Sequence, residues 1–496
     1  MTTSCQPFYS AASVRAMDQS AIREHGFDGD QLMAAAAAHA HRALQDRWPA
    51  AARLLVCCGA GNNGGDGYVL ARLAKAAGSE VSLLAFGTPA PETSAARARS
   101  AWLAAGGEIG EWRAADSSCF GFDVIVDALL GTGLSRAPEG EIAAAVSAIN
   151  LARQRGCGVL AVDIPSGLDA DRGQPLAPDL AVCADLTVTF VGRKLGLHTG
   201  AGADHAGAVQ FHDLELPVAV HEQQTPLASS LDAGCLRAQL PRRRASSHKN
   251  SHGHVLVVGG NTGMAGAALL AARAALRSGA GLVSIATRAQ HAPAMAAAQA
   301  ELMAFGVERG EQLAEKIAAA DVILLGPGLA QDAWARSLYA ACIAAGKPLL
   351  VDADALNLLA AAPAQNPNWV LTPHPGEAAR LLVCENADVQ QDRLAAVRAL
   401  QDKFQGVVVL KGAGSLVRGQ RTGLCTLGNP GMAVGGSGDV LAGVIAALMA
   451  QGLALETAAE LGVIAHAAAG DAAAVAGQRG MLPSDIIEQL QSVLNP

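Results

Sequence analysis

Short apolar runs alternate with alanine-rich stretches along most of the 496-residue chain. The runs are continuous rather than alternating, and the stretches between them, such as Tyr68–Ala77 and Gly266–Ser278, are long enough for helices. This pattern is typical of α/β folds, in which helices cover both faces of a parallel sheet. The predicted strands are Leu54–Cys58, Val81–Phe86, Asp123–Asp127, Gly158–Asp163, Leu186–Phe190, His254–Val258, Leu282–Ala286, Asp321–Leu325, Pro348–Asp352, Trp369–Leu371 and Val407–Leu410.

The strand–helix rhythm lapses once, between about Val218 and Gln239, where a polar stretch gives way to small residues. We place a domain boundary there, with a first domain over residues 1–222, a linker over 223–234 and a second domain over 235–496. No repeat of fixed period is visible, and the two halves share no motif. The sequence therefore predicts two different α/β domains.

Composition excludes several classes of protein. Hydrophobic residues make up 51% and charged residues 16% of the chain, which is too apolar for a disordered protein. The net charge of −8, without a long basic run, argues against a nucleic-acid partner. The one basic cluster, Pro241–Arg244, is typical of a solvated surface between domains, and the pattern alone gives it no function.

Cysteine spacing and hydropathy predict a cytoplasmic protein. The ten cysteines are scattered and form no C-x-x-C pair, so we expect neither a zinc site nor a disulfide framework. The N-terminus lacks the pattern of a signal peptide. The most apolar long stretch, Ala265–Thr287, contains Arg273 and Arg277, and we interpret it as a buried helix and a strand, not a membrane span.

A glycine-rich segment, Gly59–Gly67, directly follows the first predicted strand. A strand, a glycine turn and a helix N-terminus can form an anion site, because glycines let the backbone approach a phosphate. Asn62 and Asn63 interrupt the usual dinucleotide-binding spacing, so a tight turn without a ligand is an equally good interpretation of this segment alone.

Two further polar loops follow strands in the first half, at 128–136 and 164–169. The carboxyl ends of parallel strands form one rim, so these loops and the glycine-rich segment should meet there. Asn63, Asp127, Asp163 and Ser166 would bring oxygen donors that suit a hard cation. A single aspartate at a strand end is more often a helix cap, but three such loops together favour a site.

These three loops resemble the signature loops of the NAD(P)HX epimerase family, over about Ser10 to Pro217. The resemblance implies a Rossmann-like, three-layer αβα domain and a potassium ion held by Asn63, Asp127 and Ser166. Arg172 departs from the family, which usually has a small hydroxyl residue there, but it lies beyond the matching core. The implied hydrate-binding residues are Asn62, Asn63, Gly64, Gly65, Asp66, Gly131, Thr132, Gly133, Leu134, Ser135, Arg136, Ala137 and Asp163.

Epimerisation of a hydrated nicotinamide requires the hydroxyl to leave, or the ring to open, and then to re-form on the other face. Either route needs proton transfers, and Asp163 is the candidate acid/base because it ends a strand within the motif. A carboxyl with an ordinary pKa near 3.9 would need that pKa raised by the site.

The second half contains a glycine-rich segment, Gly428–Asp439, directly before an apolar helical stretch, Val440–Met449. Glycines 435, 436 and 438 would open that helix with free N–H groups, and the helix dipole would add to an anion hole for a phosphoryl group. Asp439, in the first turn, could accept a proton from a hydroxyl. The alternative is an aspartate that only caps the helix.

A G-x-G-D sequence that opens a helix resembles the ribokinase-like superfamily. Further loops at successive strand ends narrow the resemblance to the ADP-dependent NAD(P)HX dehydratases, over about Cys235 to Asn495. It implies a ribokinase-like α/β domain. The matching loops are His254–Gly263, Gly279–Val283, Gly326–Leu329, Asp352–Leu356, Thr372–Glu377, Lys411–Ser415 and Asn429–Met432.

This second resemblance implies roles for individual residues. Ala265, Gly328, His374 and Asp439 would hold the hydrate, with Asp439 activating its hydroxyl and Mg²⁺ shielding the phosphates. On sequence alone His374 could be a histidine hydrogen-bonded in a proline-rich turn, and Lys411 a surface charge. The residues implied for the nucleotide left after transfer, AMP, are Lys411, Gly412, Ala413, Gly414, Ser415 and Gly438.

Together the two resemblances imply repair of NADHX and NADPHX with ADP as co-substrate, by a homo-oligomer without nucleic-acid or membrane partners. One alternative is a small-molecule kinase of the same superfamily that acts on a vitamin precursor. Another makes the first half a binding module without catalysis. Nothing in the residues separates ADP from ATP, or one hydrate from the other.

Overall fold

The computed structural model describes residues 6–110, 112, 121–134 and 136–495. The chain divides into two compact units: an N-terminal unit, Pro7–Ala228, and a C-terminal unit, Ser229–Pro496 with the residues before Pro7. The boundary falls within the predicted linker, 223–234. That segment contains a short strand, Ala228–Leu231, which its small residues did not reveal in the sequence.

The N-terminal unit contains short strands and helices of 5 to 19 residues. Its strands are β1 (Pro7–Tyr9), β2 (Arg53–Gly59), β3 (Glu80–Phe86), β4 (Val124–Ala128), β5 (Gly158–Val162), β6 (Leu186–Phe190), β7 (Arg193–Lys194) and β8 (Ala208–His212). Its helices are α1 (Ala11–Glu24), α2 (Gly29–Arg47), α3 (Asn62–Ala76), α4 (Ser94–Ala104), α5 (Gly140–Gln154), α6 (Gly202–Ala206) and α7 (Val218–Glu222).

The main sheet of this unit is parallel, in the order β3-β2-β4-β5-β6-β8. The strand order reverses between β2 and β4, which is the point where open α/β sheets bind their ligands. The loops after β2 and β4 are two of the three loops singled out in the sequence. All five strands predicted in this half are confirmed within one residue at each end.

Helices cover both faces of this sheet. Leu54, Val56 and Val124 pack on one face with residues of α1 to α4. Leu55 and Ile125, which alternate with them, pack on the other face with residues of α5. Because successive residues of a strand point to opposite faces, the continuous apolar runs supply both cores. The predicted three-layer, Rossmann-like arrangement is confirmed.

The C-terminal unit is built around a larger mixed sheet. Its strands are β9 (Ala228–Leu231), β10 (His254–Val258), β11 (Leu282–Thr287), β12 (Met303–Gly306), β13 (Val322–Leu325), β14 (Leu349–Val351), β15 (Trp369–Leu371), β16 (Val407–Leu410), β17 (Ser415–Arg418) and β18 (Thr422–Cys425). Its helices are α8 (Ala233–Gln239), α9 (Ala265–Arg277), α10 (Ala292–Ala298), α11 (Ala314–Ala319), α12 (Ala333–Ala344), α13 (Asp354–Ala361), α14 (Pro375–Leu382), α15 (Asn386–Gln391), α16 (Arg393–Phe404), α17 (Ser437–Ala450), α18 (Leu455–Ala473) and α19 (Pro483–Val493).

Strands β12-β11-β10-β13-β14-β15-β16 are parallel and adjacent in that order. Strands β17 and β18 continue the sheet antiparallel, and β9 pairs parallel with β18. The six strands predicted in this half are confirmed. The short strands β9, β12, β17 and β18 were not predicted, because polar residues or glycine interrupt their apolar runs, whereas β13 to β16 are as short but continuously apolar.

The core of this unit contains one long apolar helical segment, Leu455–Ala476, which has the length and composition of a membrane span. However, 67% of its most apolar window is buried inside the unit, where α18 packs against α17 and α19. It is therefore a core helix. The stretch Ala265–Thr287 forms α9 and β11, as predicted.

Candidate active sites

The glycine-rich segment of the N-terminal unit is mostly helix. Helix α3 begins at Asn62, whereas the sequence analysis placed its start at Tyr68. A Cβ on Gly67 would lie 2.7 Å from the Cβ of Ala128 and the Sγ of Cys58, and one on Gly64 would overlap the carbonyl of Gly59. These two glycines let α3 pack closely against β2 and β4. Packing alone accounts for them.

Asn63, Asp127 and Ser166 meet around the loop that follows β4. Ser166 donates from its Oγ to Asp127 Oδ1 at 2.6 Å and from its backbone N–H to Oδ2 at 2.8 Å. Asn63 donates from Nδ2 to the carbonyl of Leu130 at 3.0 Å. The Oδ1 of Asn63 is buried and accepts no hydrogen bond from the described residues. This cluster has one oxygen that the fold leaves free for a ligand.

Asp127 is fully buried, and burial raises the pKa of its carboxyl to about 6, although its hydrogen bonds from Ser166 and Leu129 act in the opposite direction. A cation close to the cluster would offset this cost of desolvation. The three residues proposed for potassium thus lie together, with the chemistry that a hard cation requires.

Asp163 lies one residue beyond β5 in the left-handed region, at φ +66°. Such a conformation is uncommon for a residue with a side chain and is often found at functional sites. The Asp163 carboxylate also forms an ion pair with the ammonium of Lys194, whose side chain has no solvent exposure. Thr189 also donates to Asp163 Oδ1, at 3.2 Å. The strand end therefore holds a carboxylate in a fixed, partly accessible position.

Two further carboxyls lie within electrostatic range of this ion pair. Burial, then the charges of Asp163 and Asp18, raises the pKa of Asp66 well above its usual range. Burial also raises the pKa of Asp18, on α1, to about 6, against the opposing effect of Lys194. The site thus combines one paired carboxylate with two carboxyls that retain their protons more readily, which suits proton transfer in both directions.

The loop after β4 borders the same region. A Cβ on Gly131 would lie 3.3 Å from the Cβ of Asn63, and Arg15 on α1 donates to the carbonyl of Thr132 at 2.8 Å. Gly133 and Arg136 are exposed, and Leu134 and Ala137 are half-buried. Ser135, also predicted to bind the hydrate, lies outside the described residues.

In the C-terminal unit, Lys411 lies among carboxylates at the carboxyl ends of β14 to β16. Its Nζ is 2.8 Å from Asp352 Oδ1 and 3.8 Å from Glu377 Oε2. Burial alone would lower the pKa of Lys411, but these carboxylates outweigh it and raise the pKa. Burial raises the pKa of Glu377 to about 7. Lys411 is therefore a largely enclosed cation at the rim of the sheet, with its side chain 17% exposed, and not a surface charge.

The N-terminus of α17 faces this ammonium. A Cβ on Gly438 would lie 3.3 Å from Lys411 Nζ, and Gly436, at φ +97°, caps the helix without a side-chain hydrogen bond. Asp439 occupies the first turn, where burial, then the charge of Asp352, raises its pKa to about 7. A lysine, the free N–H groups of a helix N-terminus and a carboxyl whose pKa is about 7 meet here. Phosphoryl transfer to a hydroxyl requires such groups.

The residues predicted to hold the hydrate lie on neighbouring loops of the same rim. Ala265 is the first residue of α9, and a Cβ on Gly328 would contact Met264 next to it. His374 caps α14, accepting at Nδ1 from the N–H of Gly376 at 3.0 Å. That bond agrees with the interpretation of His374 as a histidine hydrogen-bonded in a turn. Its Nε2 lies 3.5 Å from Glu377 Oε1, and its side chain is half-exposed.

A buried arginine supports the loop predicted to bind the nucleotide, Lys411–Ser415. Arg393 is 1% exposed, and its guanidinium donates to the carbonyls of Leu410, Lys411 and Gly414. These hydrogen bonds tie the backbone of the loop to α16. Asp471 similarly accepts from Gly428 and Asn429 and fixes the segment before α17.

Comparisons with known proteins agree with both halves of this description. Residues 29–196 match the family of the YjeF-related protein N-terminus, and residues 255–492 match NAD(P)H-hydrate dehydratase. The bifunctional NAD(P)H-hydrate repair enzyme of Coxiella burnetii is 42% identical over 98% of this chain and 99% of its own length. The Escherichia coli enzyme is 44% identical, over 98% and 93%. The chain belongs to this family of bifunctional repair enzymes.

The solved structures add the fold of the C-terminal unit. A ribokinase-like superfamily protein from Enterococcus faecalis is 31% identical, covers 55% of this chain and 97% of its own, and superposes with a TM-score of 0.52. The predicted ribokinase-like fold is confirmed. A lone superfamily kinase is the weaker interpretation, because the relatives among the repair enzymes match across both units.

Several site residues of this repair enzyme were missed by sequence reasoning. Asp352 and Glu377 lie in the quoted loops, but only the structure shows that they surround Lys411. Asp18 and Lys194 lie outside the signature loops, and no spacing links them to Asp163. The only sequence signal was that Lys194 lies close to the end of a predicted strand, Leu186–Phe190.

Proposed function

We propose that the N-terminal unit interconverts the R and S epimers of hydrated NADH and NADPH, and that the C-terminal unit dehydrates the S epimer with ADP. The products would be NAD(P)H, AMP and phosphate. The observation that carries this proposal is the position of Asp439, in the first turn of α17 beside Lys411. The relatives named as bifunctional repair enzymes support both activities.

Dehydration needs the hydroxyl to become a better leaving group. Asp439 takes the proton of the hydrate's hydroxyl while the hydroxyl oxygen attacks the β-phosphorus of ADP. AMP departs with the electrons of the broken P–O bond. The C–O bond then breaks, phosphate leaves with the bonding pair, and a neighbouring carbon loses a proton to restore the double bond. Lys411 and the N–H groups of α17 stabilise charge on the transferring phosphoryl group.

Magnesium fits the donors of this rim. Mg²⁺ commonly binds one or two carboxylates together with substrate phosphates, and Glu377 can supply such a carboxylate. When bound, the ion would neutralise charge on the nucleotide's phosphates. Asp352 is less suited, because it already accepts from Lys411 and from Thr372 Oγ1 at 2.7 Å.

Epimerisation would use the carboxyl groups around Asp163. Lys194 and Thr189 hold the Asp163 carboxylate ready to accept a proton from the hydrate. Asp66, whose pKa is raised, retains a proton that it can donate to the hydroxyl or ring nitrogen. Lys194 is a positioning residue in this account. The hydrate would lie against Asn62 to Asp66 and the loop from Gly131 to Ala137.

Potassium fits Asn63, Asp127 and Ser166, since the Oδ1 of Asn63 has no hydrogen-bond partner among the described residues and can coordinate a cation beside the buried carboxylate of Asp127. When bound, the ion would fix the loop after β4 and attract an anionic oxygen of the hydrate.

The cytoplasm is the proposed compartment, and the homo-oligomeric state stays a prediction.

Replacing Asn63 with alanine is expected to lower epimerase activity at least about tenfold and to remove its dependence on potassium, because the free oxygen is lost. Wild-type protein should melt at a higher temperature in potassium than in tetramethylammonium chloride, and the variant should not. Asn150→Ala is the control, since both polar groups of Asn150 are occupied within the fold. Equal melting of the wild type in both salts would contradict the potassium site.

Product analysis with the purified S epimer tests the dehydratase assignment. We expect NADH, AMP and phosphate in equal amounts when ADP and magnesium are supplied, and slower turnover with ATP. The nucleotide preference rests on the family resemblance. A clear preference for ATP would overturn it, and accumulation of a stable phosphorylated product would instead indicate a kinase.

A further inference from the structure

The C-terminal unit has a large cavity away from the residues of the dehydratase site. It has a volume of about 1260 Å³ and is lined by the segment 240–252, which includes the basic cluster Pro241–Arg244. Ligand pockets commonly measure about 300–1,000 Å³, so a molecule of nucleotide size fits. The cavity is therefore large enough for a specific ligand and has no part in the proposed chemistry.

The cavity lies at the opposite end of the sheet from the active site. His252, on its wall, precedes β10, whereas the active-site loop Gly259–Gly263 follows that strand. Helix α17 begins at Ser437 in the active site, and its C-cap, Gln451, lines the cavity. With a rise of about 1.5 Å per residue, this 14-residue helix separates the two places by roughly 20 Å.

The lining carries a strong excess of positive charge. Five arginines and two histidines line the cavity, and no aspartate or glutamate does. Arg237, Arg242 and Arg244 are exposed and form no ion pair with the described residues, so their guanidinium groups can bind an anion. The lining arginines are Arg237, Arg242, Arg243, Arg244 and Arg277.

Helix ends explain only part of this charge. The C-caps of α8, α9, α17 and α19 all line the cavity, and each helix end carries about half a negative charge. Arg243 satisfies one of them, donating to the carbonyl of Gly279 at 2.6 Å. Capping four helix ends does not require five arginines, so the caps do not account for all of the arginine side chains in the lining.

One polar group in the wall also has no partner. Ser278 is 5% exposed and lines the cavity, and its buried Oγ makes no hydrogen bond with the described residues. A buried hydroxyl without a partner destabilises a folded protein. Among the lining arginines, Arg243 and Arg277 already donate to Gly279 and Gln491. The donors of Arg237, Arg242 and Arg244 make no hydrogen bond with the described residues.

We propose that this cavity binds a small molecule that carries two or more phosphate groups. Guanidinium groups bind phosphate oxygens in a bidentate manner, and several arginines on a concave wall select a chain of phosphates over a single one. Nucleic acid fits less well, because the basic residues line a cavity in a chain of net charge −8 and do not form an extended stripe.

Calorimetric titration of the full chain with inorganic tripolyphosphate at low salt tests this inference. We expect saturable binding at the cavity, weakened at least tenfold in the variant R242Q/R244Q. The matched control is R336Q/R398Q, which removes two arginines of the same unit that do not line the cavity, and it should bind as the wild type does. Arg237→Gln, on α8, is a single substitution that should weaken binding in the same direction.

Melting temperature and dehydratase activity should be unchanged in R242Q/R244Q, which separates this inference from the proposed function. A non-hydrolysable nucleoside triphosphate provides the second arm: tighter binding than tripolyphosphate, lost in the same variant, would identify a nucleotide as the ligand. Equal binding by wild type and R242Q/R244Q would overturn the proposal. So would equal losses in both double variants, or binding of duplex DNA without binding of tripolyphosphate.

Discussion

Replacing Asp439 with alanine is expected to reduce the rate of dehydration by about 10²–10⁴-fold, the usual contribution of a general base. Epimerisation by the same protein should stay unchanged, since Asp163 and Lys194 belong to the other unit. The measurement is the initial rate of NADH formation from the S epimer, beside the interconversion of epimers without ADP. Loss of both activities would contradict the assignment of two independent sites.

The same substitution should stabilise the folded protein at pH 8. The Asp439 carboxyl keeps its proton up to about pH 7 in the folded chain, but only to about pH 4 when unfolded. The folded state binds more protons between these values, so stability is lost as the pH rises through this window. Alanine removes that cost, and we expect the melting temperature to rise by about 2–4 °C.

A matched control separates catalysis from capping. Asp485 also lies in the first turn of a helix, α19, where it accepts from the N–H of Leu482 at 2.8 Å. Asp485→Ala should leave dehydration unchanged and lower the melting temperature, as loss of a cap does. If Asp439→Ala behaved in the same way, Asp439 would be a helix cap and not a base.

The pH profile gives a further readout of the same site. Because Asp439 must be ionised to accept a proton, kcat/KM for dehydration should rise with pH through about 7 and then level off. The charge of Glu377 contributes to the raised pKa of Asp439, so Glu377→Gln should move the rising limb to lower pH. A limb that stays in place would show that another group controls the rate.

Replacing Asp163 with asparagine is expected to slow enzymatic epimerisation by about 10²–10⁴-fold, while dehydration of the S epimer continues at its normal rate. Asparagine has nearly the shape of aspartate but cannot accept the proton. Lys194→Met should also slow epimerisation, because the Asp163 carboxylate then loses its buried partner. The measurement is interconversion of the purified R epimer, followed chromatographically.

A structural role for Lys194 would appear as lost stability alone, whereas a positioning role also changes the pH profile. Without the ammonium, the Asp163 carboxylate is no longer held by its buried partner, so the pH profile of the activity that remains in Lys194→Met should differ from that of the wild type. Arg153→Gln, which breaks the more exposed ion pair with Asp185, is the control and should leave epimerisation unchanged. Normal epimerisation by Asp163→Asn would exclude Asp163 as the acid/base.

Much of the fold followed from hydrophobic patterning. Strands buried on both faces are continuously apolar, and those in the centres of the two sheets were found within one or two residues. The antiparallel pair β17 and β18 was missed, because polar residues and a glycine interrupt the apolar runs of its strands. The start of α3 was placed too late, since glycines in a helix resemble a turn until β2 and β4 show why no side chain fits.

The candidate sites were predictable where the chemistry lies in one segment. Asp439 and its glycines are adjacent in the sequence, and Lys411 lies in a single loop. The partners of the site residues were not predictable, because Asp352 approaches Lys411, and Lys194 approaches Asp163, from another part of the chain. Electrostatic environment also depends on burial, so Asp66 and Asp18 could not be recognised from the sequence as proton-holding carboxyls beside Asp163.

The most direct test of the central claim is recovery of NADH from a mixture of both epimers of its hydrate, with the wild-type protein, magnesium and ADP. NADH is followed by its absorbance. The account predicts full recovery of both epimers, faster than spontaneous epimerisation and only when ADP is present. Recovery of the S fraction alone would contradict an epimerase in the N-terminal unit, and no recovery with either ADP or ATP would contradict the repair function itself.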